Sequence, residues 1–384
     1  MVPTLRGGGL SRLRQLNVLT AIAALRAAGP LTLSALAGRT GLSRPSTKEV
    51  VDELMRLGWV EETPPAQGTL GRPARRYRFR AGSGHLVGLD IGGHNIRAAL
   101  ADLNGVIISE TRRPVEPDTP LDERLAAIEH AVAGCLALGG KTIEDVWVLA
   151  AGTIGVITPE GRILYCAAVP AWTGFDLAGH LRRLFPCEVL VENDSRLAAR
   201  AEAVRGAARD VADAVYLHVG RRMGTAVIID GKVHRGFGAA SGEIAMLPQA
   251  RLFDASEHLQ SCAVIPEGTP PADAAGYTLA AARAGDPVAL AAVERYAGDL
   301  AVGTSAMVLL LDPQVVVLGG GFSRSADVLL PPLRARLERA CMRLPDLRAS
   351  TLGDECVVTG AIDYAVAHLD DQHFTPDAPL PTPR

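Results

Sequence analysis

Between residues 10 and 28, apolar side chains recur at Leu10, Leu13, Leu16, Leu19, Ile22, Ala23 and Leu25, the spacing of an amphipathic helix. Gly29-Pro30 ends it, since proline has no amide hydrogen to donate. Thr32 is placed to cap a second short helix over 33–39, Gly41 makes the turn and Leu42 fills the core. Ser43 caps a third helix whose inward residues are Val50, Val51, Leu54 and Leu57. Trp59-Val60-Glu61 and Tyr77-Arg78-Phe79 read as two strands, with 63–76 as a flexible basic hairpin tip between them.

After His85 the period changes. Short apolar strands over 86–89, 96–101 and 106–109 precede a helix over 122–138 and a strand over 146–151. A strand over 189–191 leads into a helix after Asp194. Leu217, Gly220, Ala226, Ile228 and Asp230 then lie 128 residues beyond Leu89, Gly92, Ala98, Leu100 and Asp102. This weak repeat predicts two similar α/β lobes facing a cleft. Long helices over 287–311 and 324–343 flank a strand over 315–318, and 361–369 reads as a closing helix. Four prolines after Asp370 predict a disordered tail.

Composition changes this picture in two places. A length of 384 residues, at roughly 100–200 per domain, allows two or three domains with sizeable cores. With 48% apolar and 21% charged residues, disorder throughout is excluded. No apolar run reaches the roughly 18 residues that span a bilayer, and Met1 to Gly9 does not read as a signal peptide. Net charge is −3, yet residues 1–85 carry 13 Lys/Arg against 5 Asp/Glu, while 86–384 carry 26 against 37. A basic head on an acidic body points to nucleic acid at one end and another ligand at the other. Six dispersed cysteines form no Cys-x-x-Cys pair, and a reducing cytoplasm is the expected compartment.

Three helices and a basic two-stranded wing are the elements of a major-groove reader. Ser43, Arg44, Ser46, Thr47 and Lys48 occupy the first turns of the third helix, where they can meet base edges and phosphates. Arg72 and Arg75 in the wing can enter a narrow minor groove. A small protein–protein module with solvated charges is the competing reading.

In the body, Asp90 followed by Gly92 and Gly93 ends a strand in a turn that can approach phosphate and magnesium, or is simply a tight hairpin. Glu192-Asn193-Asp194 offers a general base for phosphoryl transfer, or a helix N-cap. Gly242-Glu243 can meet sugar hydroxyls, and Gly319-Gly320-Gly321 a nucleotide or a turn.

In order and spacing these pieces resemble the ROK family of sugar-responsive repressors and sugar kinases. The head matches its repressor branch in Leu42-Ser43-Arg44-Pro45-Ser46 and Gly71-Arg72-Pro73. The body matches in Asp90-Ile91-Gly92-Gly93, Trp172-Thr173-Gly174-Phe175-Asp176-Leu177, Glu192-Asn193-Asp194 and Gly242-Glu243-Ile244. The resemblance implies an α/β, actin-like or hexokinase-like (RNase H-like) two-lobed body preceded by an α+β winged helix-turn-helix domain. Its expected divisions are 1–82 for the head, 83–195 for the first lobe (closed by a C-terminal helix over 360–371), 196–359 for the second lobe, and 372–384 for the tail. It further implies sugar contacts at Trp172, Asn193, Asp194, Glu243 and Gln260, with Asp194 as the kinase base.

Three departures separate the chain from the family's kinases. His94 replaces a phosphate-binding Thr, and Gly220-Arg221-Arg222-Met223-Gly224 puts two cations where a Gly-Thr-Gly turn is usual. Asp90, Gly92, Gly93, His94, Gly220 and Gly320 are therefore expected to form a degraded nucleotide site. Met246 stands in the zinc-binding His position, and Cys262 is the only cysteine between Cys187 and Cys341, so neither zinc nor ATP is expected. The expectation is a regulator, more often a repressor, with a palindromic double-stranded operator, a sugar or sugar phosphate effector and a homodimer or higher homo-oligomer as partners. The alternative is an ATP-dependent sugar kinase with an appended DNA-binding head.

Overall fold

The computed structural model describes residues 10–64 and 74–384. The head comprises α1 (Leu10–Ala28), β1 (Leu31–Thr32), α2 (Leu33–Thr40), α3 (Arg44–Arg56), β2 (Val60–Thr63) and β3 (Arg76–Phe79). Its caps form as the side-chain chemistry requires. Thr32 accepts the Ala35 amide and Ser43 the Ser46 amide, and Gly41 adopts φ +71° to turn the chain. The stripe of α1 that faces inward is Val18, Ala21, Ile22 and Leu25, whereas Leu13, Leu16 and Ala23 are exposed. On α3 the exposed Leu57 gives way to Thr47 in the core. The tiny β1 pairs with β3, making the wing three-stranded, in the order β1-β3-β2.

Two five-stranded sheets build the body. The first holds β4 (His85–Ile91), β5 (Asn95–Asp102), β6 (Ile107–Pro114), β7 (Val146–Thr153) and, beyond the small hairpin of β8 (Val156–Ile157) and β9 (Ile163–Tyr165), β10 (Glu188–Asn193). The second holds β11 (Ala214–His218), β12 (Gly224–Ile229), β13 (Lys232–His234), β14 (Val315–Gly319) and β15 (Asp346–Ala349). Their orders, β10-β7-β4-β5-β6 and β13-β12-β11-β14-β15, describe one topology used twice. In each, the leading strand pairs antiparallel with the next strand and parallel with the crossover strand that follows. The faint 128-residue repeat is thus a duplication of architecture.

Helices α4 (Leu121–Leu138) and α5 (Leu177–Leu184) cover the first sheet, and α7 (Glu257–Gln260), α8 (Pro271–Arg283), α9 (Pro287–Leu311) and α10 (Ala326–Ala340) belong to the second lobe. Between the lobes, α6 (Asp194–Val204) packs against α11 (Cys356–His373), which also lies on β4 and β7. The approach is close enough that a Cβ on Gly360 would lie 1.8 Å from the Leu197 carbonyl oxygen. Among the described residues no helix is long and apolar enough to cross a membrane.

Head and body share one continuous apolar core, running from Val18 and Leu54 through Trp59 to Leu86, Trp147 and Leu369. Trp59 stacks on Phe79 at 5.7 Å and meets Trp147 edge-on at 5.8 Å. Arg26 donates to the Leu103 carbonyl at 2.8 Å and pairs with Asp370, fixing α1 to the body.

The tail differs from the expected disorder. Phe374 packs edge-on against Trp59 at 5.2 Å, and the Trp59 indole nitrogen donates to the Pro381 carbonyl at 3.0 Å. Arg12 pairs with Asp377 at 3.1 Å, and Arg384 lies over the Trp147 ring and donates to the Val146 carbonyl at 2.6 Å. Proline content suggested a chain that cannot build a core. One aromatic wedge and a row of backbone acceptors anchor it instead to a surface already apolar.

Candidate functional site

Each repeat ends its leading strand in a turn at the cleft. Behind the first turn sits Arg124, buried, whose guanidinium donates to the carbonyls of Gly92 (2.9 Å), Gly93 (3.4 Å) and Glu116 (2.5 Å). Trp172 lies beneath it, 1% exposed, stacked on Phe175 at 5.5 Å and donating to the Thr153 hydroxyl at 2.8 Å. Trp172 is therefore a core support of the turn and does not line the cavity, contrary to its expected sugar contact. Gln260, at the end of α7, is likewise not on the cavity wall.

The cavity between the lobes measures about 620 Å³, within the usual range for small-molecule sites. Asn193, Asp194 and Glu243 line it together with Asp90, Gly92, Gly93, His94, Gly220 and Gly320. Asn193 is also the N-cap of α6: its side-chain oxygen accepts the Arg196 amide at 3.1 Å and its nitrogen donates to Gly155 at 3.0 Å. Asp194 accepts the Ser195 amide at 2.7 Å. The cap reading is realised here by Asn193, and Asp194 beside it stands on the cavity wall.

A buried ion pair holds the floor in place. Arg196 and Glu192 lie 3.2 Å apart with side chains 1% and 7% exposed, and Arg196 reaches on to the Ala239 carbonyl at 2.5 Å. Arg235 is a second partner of Glu192 and donates to the Tyr364 hydroxyl on α11 at 2.7 Å. The network ties the β10–α6 corner to the loop carrying Glu243 and to α11. Removing one member would leave a buried charge uncompensated.

Burial governs the acids of the cavity. It pushes Asp90 up to about 7, helped by the Asp194 carboxylate, and raises Asp194 and Glu243 as well. The same burial lowers His218, against the pull of Asp194. Below its ordinary 3.8 Asp90 is neutral folded or unfolded, and stability declines as pH rises toward 7 because only the unfolded chain ionises freely. Asp90→Asn is expected to raise Tm by roughly 2–4 °C at pH 8, with the gain shrinking toward pH 5 in thermal melts.

His218 escaped the sequence reading, although the repeat marks it: it stands 128 residues beyond Asp90. Arg97 and Arg112, on β5 and β6, also line the cavity. They escaped because their strand positions alternate faces and nothing local says which face meets the cleft.

On the head, Ser43, Arg44 and Lys48 are exposed and Ser46 is half-buried, its hydroxyl 2.9 Å from that of Ser43. Lys48 pairs with Asp52 one turn on. Thr47 corrects an expectation: it is fully buried, its hydroxyl donating to the Ser43 carbonyl at 2.9 Å, and it cannot meet DNA. Arg75 is exposed and 3.2 Å from Glu62, while Arg72 lies outside the described residues.

A helix-turn-helix head with a wing, docked on a duplicated two-lobed body around a cavity, is the architecture of a ligand-responsive DNA-binding protein. The chain belongs to the ROK family: that family's model matches residues 86–263 and 267–367, and an IclR helix-turn-helix domain matches 13–64. It is 20% identical to the xylose repressor of Caldicellulosiruptor bescii over 94% of this chain and 98% of that protein. With the glucokinase of Streptomyces coelicolor it shares 27% identity over 73% of this chain and 98% of that protein. A ROK family transcriptional regulator, described as a homologue of the Escherichia coli MLC protein, superposes with TM-score 0.68 at 20% identity, covering 92% of this chain and 97% of that one. The kinase match leaves about a quarter of this chain uncovered, and the repressor match extends over nearly all of it.

Met246 lies on the cavity wall, Cys262 is a buried free thiol bonding weakly to the Val288 carbonyl at 3.9 Å, and among the described residues no group of three or more His, Cys, Asp or Glu is arranged to hold a metal ion.

Proposed function

We propose that the protein is a cytoplasmic transcriptional repressor. Its head binds a palindromic double-stranded operator as a homodimer or higher homo-oligomer, and a sugar or sugar derivative in the cleft changes operator affinity. The observation that carries this reading is the path of α11. Its first residues stand at the cavity, where Val357 lines the wall and the Asp354 carbonyl just before it accepts from Arg97 at 2.9 Å. Its far end, about 27 Å away at 1.5 Å per residue, delivers Phe374 to Trp59 in the head. A ligand that favours one arrangement of the lobes shifts α11, and with it the heads, by selecting among existing conformations.

Fluorescence anisotropy on a promoter fragment with a panel of sugars tests the reading. An active sugar is expected to change operator affinity about 5–150-fold; constant affinity across the panel overturns the sugar signal. Arg44→Ala, at an exposed position opening α3, is expected to weaken operator binding roughly tenfold or more while leaving the melting temperature unchanged.

Phosphoryl transfer is outside the proposed role, because it depends on placing phosphates against backbone amides and magnesium. In the first turn the Gly92 amide is already committed to the Asn95 carbonyl at 2.9 Å, and the second turn carries Arg221 and Arg222. A coupled assay with ATP and hexoses is expected to show no turnover. Turnover abolished by Asp194→Asn would establish the kinase alternative.

A further inference from the structure

Five arginines line the cavity, and four of them, Arg97, Arg112, Arg221 and Arg222, have no carboxylate ion-pair partner among the described residues. The fifth lining arginine, Arg324, differs in having Asp354 at 3.3 Å. Among the described residues Arg97, Arg112 and Arg222 donate to neutral oxygens alone: the Asp354 carbonyl, the Asn95 side chain (2.8 Å) and the Ala168 carbonyl (3.1 Å). Neutral acceptors satisfy N–H groups and leave the positive charge available to an anionic ligand.

The concentration of charge is greatest at the turn that departs from the family pattern. Burial lowers the Arg221 guanidinium from its ordinary value, and Arg112 and Arg222 repel it, opposed by Glu116. His94 is lowered by burial and by Arg221. Arg222 lies across the opposite turn, its Nε 3.8 Å from where a Cβ on Gly93 would stand, while its Nη2 reaches Ala168 of the first lobe. The 128-residue repeat sets Arg222 opposite His94, so both turns present cationic or imidazole groups to one space. The same cavity holds the hydroxyl-matching set Asn193, Asp194 and Glu243.

We propose that the cleft takes a phosphorylated sugar, its ring on Asn193, Asp194 and Glu243 and its phosphoryl group on Arg221 and Arg222. This deepens the sugar-sensing reading and rests on it. Two adjacent guanidiniums offer the forked N–H pairs that a phosphate dianion accepts, and a dianion offsets the repulsion among these guanidiniums. A nucleoside polyphosphate shares the phosphate chemistry and is separated from a sugar phosphate by the experiment.

Isothermal titration calorimetry on the full chain compares glucose, mannose and N-acetylglucosamine with their 6-phosphates, inorganic phosphate and ATP. At least one 6-phosphate is expected to bind about tenfold or more tightly than its parent sugar. Arg221→Ala/Arg222→Ala is expected to erase that advantage without lowering the melting temperature. The proposal is overturned if every 6-phosphate binds no better than its parent, if the advantage survives the double substitution, or if ATP outcompetes all of them. Failure of the regulator reading has a different signature: a ligand that binds in the calorimeter leaves operator anisotropy unmoved.

Discussion

Gly360→Ala is expected to destabilise the protein by about 3 kcal/mol or more, read as a fall in the midpoint of chemical unfolding or as loss of soluble protein. The new Cβ would stand 1.8 Å from the Leu197 carbonyl oxygen and 2.4 Å from its carbon. Both are backbone atoms of α6, so no side chain can rotate out of the way. Relief requires α11 to move off α6, and α11 also packs on β4, where Gly88 already admits the Val358 carbonyl with a hypothetical Cβ at only 2.9 Å. A shift large enough to clear Leu197 therefore opens a second contact. Gly38→Ala is the matched control. Gly38 is an exposed residue of α2 with nothing within 4 Å of a Cβ, and there alanine should stabilise by about 0.5–1 kcal/mol through its helix preference. Equal behaviour of the two variants would disprove the close packing of α6 and α11.

Ending the chain after His373 is expected to uncouple head from cleft. It removes Phe374 from the Trp59–Phe79 stack, the Pro381 acceptor of the Trp59 indole, the Arg12–Asp377 pair and the Arg384 cap over Trp147. Two of the chain's three tryptophans, Trp59 and Trp147, gain water, and their emission shifts to the red; Trp172, deep in the first lobe, does not respond. The body keeps its cavity, so effector affinity should persist while the effector-induced change in operator affinity falls below about twofold, from the 5–150-fold expected of the full chain. Phe374→Ala alone isolates the wedge and should cost about 1–2 kcal/mol, since the ring is only half-buried. Unchanged emission together with an unchanged effector response would show that the tail carries no coupling.

The head was legible because its signals are local. A cap residue, a turn glycine and helical spacing act within a few positions of one another, and Thr32, Gly41 and Ser43 play the parts their chemistry allows. The long α9 follows its own apolar run, starting at Pro287 and ending at Leu311 as its spacing predicts. The cavity was legible only in part. Asp90, Asn193, Asp194 and Glu243 converge as the motif order implied, yet Trp172 and Gln260 are off the cavity wall and Thr47 is buried in the head. Trp172 donates to Thr153 in a neighbouring strand, and Thr47 turns its hydroxyl back to Ser43 because its Cβ faces the core of the head. The short β15 and the β8–β9 hairpin were not anticipated, since a few residues carry no period that distinguishes strand from loop.

Charge and motif order along the chain were sufficient to separate a basic DNA-reading head from an acidic two-lobed body and to place the departures at His94, Arg221, Arg222 and Met246. These are properties of residue type and spacing, which survive without knowledge of contacts. Tertiary structure alone decided that Arg221 and Arg222 face the cavity, that Arg97, Arg112 and His218 join them, and that a proline-rich tail locks onto Trp59. Such outcomes depend on pairs of residues hundreds of positions apart, where the register of one strand against another determines which side chains share a space.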